Sequence, residues 1–138
     1  MSMTFDTKIA VVLRNDLPIW QKLNVTAFTV SGIAGTVPDV VGEKYEDASG
    51  NRYLPMFKQP VMVFEATAEQ IQKAYQRAMK EGVPFSVFTE DLFATGNDID
   101  NRAAVIAKRS EELKVVGMAL RERKKLVDKI LDGIKLHK

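Results

Sequence analysis

The sequence predicts an α/β domain in three layers, an α/β/α sandwich around a mixed, mostly parallel four-stranded sheet, with a small added hairpin. Two observations carry that expectation. Short β-branched apolar runs alternate with segments whose apolar residues recur at helical spacing, and each crossover helix must return the chain to the same edge of the sheet. A length of 138 residues suits one domain, 1–138, large enough to bury roughly two-thirds of the surface its unfolded chain exposes.

The run KIAVVLR (8–14) has no helical spacing and reads as a central strand. Asn15 or Asp16 is expected to cap the helix that follows, with Pro18 in its first turn and Gly35 and Pro38 beyond its end near Ala34. Trp20, Leu23, Ala27, Val30 and Ala34 form one apolar row, and Val25, Phe28 and Ile33 make the other side apolar too, so this helix is expected to be mostly buried. In residues 35–58, Ser49-Gly50-Asn51 lies between two weak aromatic segments and predicts a surface hairpin. PVMVFEA (60–66) is the second core strand, with its proline at the start, where a missing N–H is tolerated.

Thr67 and Gln70 have capping-box spacing, and Ile71, Ala74, Tyr75, Ala78 and Met79 form the apolar stripe of a helix that Gly82 ends. PFSVFTED (84–91) and KVVGMAL (114–120) are the third and fourth strands. A capped helix DNRAAVIAKR is expected between them. The last helix packs through Val127, Ile130, Leu131 and Ile134.

Composition narrows the chemistry. With no cysteine, disulfides, thiol nucleophiles and zinc-thiolate sites are excluded, and a reducing compartment, the cytoplasm, is the expectation. No apolar run approaches the ~20 residues that span a bilayer, and no early segment has signal-peptide layout, so neither a membrane partner nor export is expected. The net charge is +2, yet residues 119–138 carry seven Lys or Arg against three acids. This excess is too modest for a nucleic-acid field. Neither a dinucleotide glycine motif nor a P-loop occurs, DIDN (98–101) lacks the glycine and glutamate of a calcium loop, and His137 is expected to be solvated. No metal or cofactor is implied.

Ligands of open α/β sheets bind beyond the carboxyl ends of the strands. Two stretches fall there. After the first strand come Arg14, Asp16 and Lys22, with Asn24 and Thr26 further along the helix. Lys22 near a helix N-terminus suits phosphate or carboxylate recognition, while Asp16 as a cap and Lys22 as a solvated charge is the competing reading. After the third strand, Glu90, Asp91 and Thr95 share a loop. A carboxylate there orients water and a threonine hydroxyl supports an oxyanion, or the acids only cap the next helix.

The order of segments resembles the archaeal and eukaryotic-type peptidyl-tRNA hydrolases, of type II fold, over nearly the whole chain. KIAVVLRNDL is similar to that family's first strand and Arg-x-Asp-Leu turn, QPVMVFEATAEQIQKAYQRAMKEGVPFSVFTED to its strand-helix-strand, and LVDKILDGIKLH to its last helix and end. Where the family has a Gly-Lys segment and a helix bearing Gln and His, this chain has Pro18-Ile19-Trp20-Gln21-Lys22, and about a dozen extra residues precede its fourth strand. The pattern looks most like an uncharacterised branch, a family of unknown function related to these hydrolases.

The resemblance implies Lys22, Asp91 and Thr95 as catalytic residues and a homodimer, while Arg14, Asp16, Asn24 and Thr26 are expected to bind ligand from their place beyond the first strand. The implied activity is hydrolysis of an ester bond in peptidyl-tRNA or a related substrate. The alternative is a non-catalytic domain that uses the same cleft for a small anion or a protein.

Overall fold

The computed structural model describes residues 5–138. Its centre is β1 (Thr7–Arg14), in which Ile9 to Leu13 are all buried. β4 (Val61–Ala66) lies parallel to β1 on one side, and β6 (Val115–Arg123) lies antiparallel on the other. β5 (Ser86–Thr89) pairs outside β6 and β7 (Lys135–Leu136) outside β4, both antiparallel, giving the order β5-β6-β1-β4-β7.

The sheet therefore has five strands, not four, and only one of its pairings is parallel. The departures have local causes. Thr89, which ends β5, pairs with Val115, which starts β6, so residues 90–114 leave and return at one end of the sheet and β6 must run back. β7 comes from a stretch expected to be helical. α4 (Lys124–Ile130) stops early because Gly133 takes φ 83°, and the chain then extends to pair with Phe64 and Glu65.

Alternation along β1 sets the layers. Ile9, Val11 and Leu13 face α1 (Ile19–Thr36) through Val25 and Ile33. Ala10 and Val12 face the other way, toward α2 (Ala68–Glu81) and α4, through Ile71, Ala74, Val127 and Ile130. Thr67 and Gln70 make the predicted capping box, and Gly82 closes α2 at φ 69°.

α1 corrects two expectations. Neither Asn15 nor Asp16 caps it: Pro18 is the N-cap without a side-chain bond, and Asp16 is held by Arg14 instead. Nor is the helix mostly buried. Val25, Thr29 and Ile33 are its buried residues, while Trp20, Leu23 and Phe28 are 64%, 67% and 54% exposed. A helix laid on one sheet face buries one stripe, and among the described residues nothing packs on its outer side. No helix of the described residues is long and apolar enough to cross a membrane.

The predicted hairpin is present as β2 (Tyr45–Glu46) and β3 (Arg52–Tyr53). Asp47 organises its turn by accepting from Tyr53 Oη at 2.7 Å and from the Asn51 and Ser49 amides at 3.0 and 2.9 Å. These bonds, Tyr53's foremost, hold the Asp47 carboxyl down to about 2. α3 (Asp98–Ile106) is the predicted helix before β6, capped by Asn97.

α1 sits so close to the sheet that a Cβ on Gly117 of β6 would come within 2.2 Å of Val25 Cγ1. Gly117→Ala is expected to cost about 1–3 kcal/mol by overpacking, measured by chemical denaturation. Because the two side chains meet, a double variant with Val25→Ala is expected to lose less than the sum of the single losses.

Candidate functional site

β1, β4 and β5 run the same way, so Arg14, Ala66 and Thr89 end at one edge of the layers. Arg14 joins the loops that follow. Its Nε donates to Asp16 Oδ1 at 2.6 Å and its Nη1 to Glu90 Oε1 at 2.5 Å, while the side chain itself is only 16% exposed. Burial draws the guanidinium down, but these two hydrogen bonds and charges leave it above its ordinary range. Arg14 and Asp16 are thus partners of each other and tie the turn after β1 to the turn Glu90–Ala94.

Beyond that tie, a cleft of about 340 Å³ opens between α1 and the segment following β5. Phe88 lies at its base, with Phe28 edge-on at 6.0 Å and Phe93 tilted at 5.1 Å between ring centroids, and Trp20 also lines it. The polar lining is mostly carboxamide: Asn24 from α1, and Asn97 and Asn101 from the start of α3. The Thr95 hydroxyl donates to the Leu92 carbonyl at 2.9 Å and is shared with Asn101 Oδ1. Among the described residues no Lys, Arg or His lines the cleft. Its one acid, Asp98, is paired with Arg102 at 2.7 Å on the surface of α3.

The residues singled out from sequence therefore divide. Thr95 and Asn24 meet in the cleft. Thr26 turns its hydroxyl to the Lys22 carbonyl at 2.8 Å, within α1. Asp91 is bound by Lys108 Nζ at 2.7 Å, and this hydrogen bond raises the Lys108 ammonium above its ordinary range. Lys22 leans the other way. Its Nζ donates to His137 Nε2 at 3.1 Å, and Glu65 Oε2 stands 3.7 Å from the same nitrogen.

Lys22 and Asp91 are not brought together. His137 follows β7 at one edge of the sheet and Asp91 follows β5 at the other, and five strands at the usual spacing set those edges about 19 Å apart. His137, expected to be solvated, is held by its amide to the Val63 carbonyl at 2.8 Å and by Lys22.

Sequence reasoning missed Phe88, Phe93, Asn97 and Asn101 as lining residues, and Lys108 as the partner of Asp91. Asn97 and Asn101, four apart across a helix start, were the available signal. The pairing of β5 with β6 shifts register between Phe88 and Thr89, and among the described residues the buried Thr89 hydroxyl has no hydrogen-bond partner. Among the described residues no group of three or more His, Asp or Glu side chains is placed to hold a metal.

A family model described as "Protein of unknown function (DUF2000)" matches residues 7–138. A solved structure of a protein of unknown function from Agrobacterium tumefaciens strain C58 is similar at 47% identity, covering 98% of this chain and 100% of that one, with a TM-score of 0.95. No match is found among curated proteins.

Arg14→Met removes the tie between the two loops. It is expected to cost about 1 kcal/mol by denaturation, the upper end for exposed ion pairs, because both acids reach water. Amide hydrogen exchange is expected to rise in residues 15–18 and 90–95.

Proposed function

Because this chain belongs to the DUF2000 family of proteins of unknown function, we propose from its geometry that it is a binding domain for a small, planar, uncharged ligand held between α1 and α3. The observation that carries this reading is the lining of the cleft: Trp20, Phe28, Phe88 and Phe93 with the carboxamides of Asn24 and Asn101, Asn97 being bonded at both ends to Asp100, and no basic side chain among the described residues. Aromatic faces and edges favour stacking with a flat ring. Carboxamides both donate and accept, which matches the edge of a ring amide better than an anion. The fitting ligand class is a heteroaromatic ring carrying an amide edge.

On this reading the chain is a relative of peptidyl-tRNA hydrolases that has lost the hydrolytic reaction. The RNDL turn and the strand-helix-strand from Gln59 to Asp91 support the kinship. The chemistry argues against retained hydrolysis: Lys22 is engaged by His137 and Asp91 by Lys108, on opposite flanks of α1. The extra residues before β6 supply Lys108, Asn97 and Asn101, and so convert a water-orienting carboxylate into half of an ion pair. A cleft without lysine or arginine also gives little hold on tRNA or a small anion.

The partner this reading adds is a second copy of the chain. The exposed residues of α1, among them Ile19, Trp20, Leu23, Ala27 and Ala34, include no charged side chain. Trp20, Leu23, Ala27, Val30 and Ala34 are spaced as a heptad seam. The helix is about 27 Å long, so its outer half presents on the order of 450 Å² without charge, the size of the largest patch on a typical monomer, which is often a functional one.

Two measurements test these readings. Trp20, the only tryptophan, is expected to show saturable quenching with uracil, hypoxanthine or nicotinamide and none with acetate or phosphate; Asn101→Leu is expected to weaken binding about tenfold, near the cost of one lost hydrogen bond. Absence of quenching by every ring, together with peptidyl-tRNA cleavage that Asp91→Asn abolishes, overturns the binding reading in favour of hydrolysis. In light scattering the chain is expected to run as a dimer and Leu23→Glu as a monomer; a wild-type monomer at about 100 µM refutes self-association.

A further inference from the structure

A second groove, of about 460 Å³, lies at the other end of α1, between its last turns and the strand edge formed by the start of β5 and the end of β6. The distance along α1 from Trp20 to this groove is roughly 20 Å. It shares no lining residue with the cleft.

The groove is mostly apolar. Ile33, Val37, Pro38, Pro84 and Phe85 contribute to its lining. The two prolines make it stiff and present no backbone N–H there. Three polar side chains share it: Thr36, whose hydroxyl donates to the Gly32 carbonyl at 2.6 Å, Ser86 and Arg121. Ser86 lies opposite Ala119 across the β5–β6 pair, and Arg121 stands two residues further along β6, so both project from the face that α1 covers. Gly32 permits this closeness, since a Cβ there would fall 2.4 Å from Ser86 Oγ.

Arg121 is held in place but not neutralised. Its Nε donates to Gln59 Oε1 at 3.4 Å, and Gln59 is anchored by donating to the Thr7 carbonyl at 3.2 Å. Among the described residues no carboxylate pairs with Arg121, whereas Arg14, Arg52 and Arg102 each have an acid. The terminal guanidinium nitrogens, two donors in a planar fork, face no internal anion at the rim of an apolar groove.

We propose that this groove binds an apolar carboxylate, with the carboxylate on Arg121 and the Ser86 hydroxyl and the tail along Ile33, Val37, Pro84 and Phe85. The planar fork selects carboxylate geometry, and the low polarity around it strengthens the pair. At about 30 Å³ per water-sized group, the volume holds on the order of fifteen such groups, enough for a chain of six to ten carbons.

The test is calorimetric titration of the full chain with hexanoate, octanoate and decanoate, against 1-octanol and octylamine. Octanoate is expected to bind one to one, with affinity rising about fourfold for each added methylene. Arg121→Met is expected to weaken octanoate at least tenfold while leaving 1-octanol unchanged. Arg121→Lys, which keeps the charge and guards against a variant that fails to fold, is expected to lose severalfold and still prefer octanoate to octylamine. Trp20 emission is expected not to respond to octanoate, which separates this site from the cleft. Undiminished octanoate binding by Arg121→Met, equal affinity for 1-octanol, or no saturable carboxylate binding overturns the proposal.

Discussion

Every layer of this protein is referred to one strand. Ile9 to Leu13 of β1 are at most 2% exposed, so five successive side chains are shared between two cores. A strand buried on both faces and both edges must satisfy its backbone through neighbours, and β4 and β6 do so from Thr7 to Arg14. The odd-numbered side chains then demand a cover of α1 and the even-numbered ones a cover of α2 and α4. A register slip of one residue would exchange the two cores, which differ in size and shape, and that difference is what holds the pairing.

The seating of α1 on that strand generates the surface features that matter. Gly117 and Gly32 let the helix approach β6 and β5 more closely than any side chain would permit. With its middle pressed against the sheet, its two ends leave space on the β5 side: a cleft near Trp20, Asn24 and Phe28, and a groove near Gly32 to Pro38. Its exposed residues include no charged side chain. The cleft, the groove and the uncharged outer face thus follow from one helix-to-sheet distance.

At the carboxyl ends of the strands, charged side chains are paired with one another. Arg14 is committed to Asp16 and Glu90, Lys22 to His137, and Lys108 to Asp91. A group already bonded to an internal partner must give up that bond before it can bind or polarise a substrate. The cleft itself is lined by aromatic rings and neutral amides. Arg121, whose guanidinium meets a neutral carboxamide rather than an acid, lies at the opposite end of the sheet.

Local sequence was sufficient wherever structure depends on neighbours in the chain. The β-branched run of β1, the Thr67–Gln70 capping box, the Gly82 stop and the Ser49-Gly50-Asn51 turn were all legible, because propensity, capping and turn chemistry act over a few residues. The direction of β6, the existence of β7 and the exposure of Trp20, Leu23 and Phe28 were not, because each depends on where a distant segment returns. The same division holds for the site. Sequence placed Thr95 and Asn24 at the carboxyl end of the strands, where the cleft is. It held no sign that Lys22 would turn to His137, 115 residues away, and Asp91 to Lys108. Side-chain pairing across the sheet is a property of three-dimensional proximity, and only the tertiary structure decided which charges remain available for chemistry.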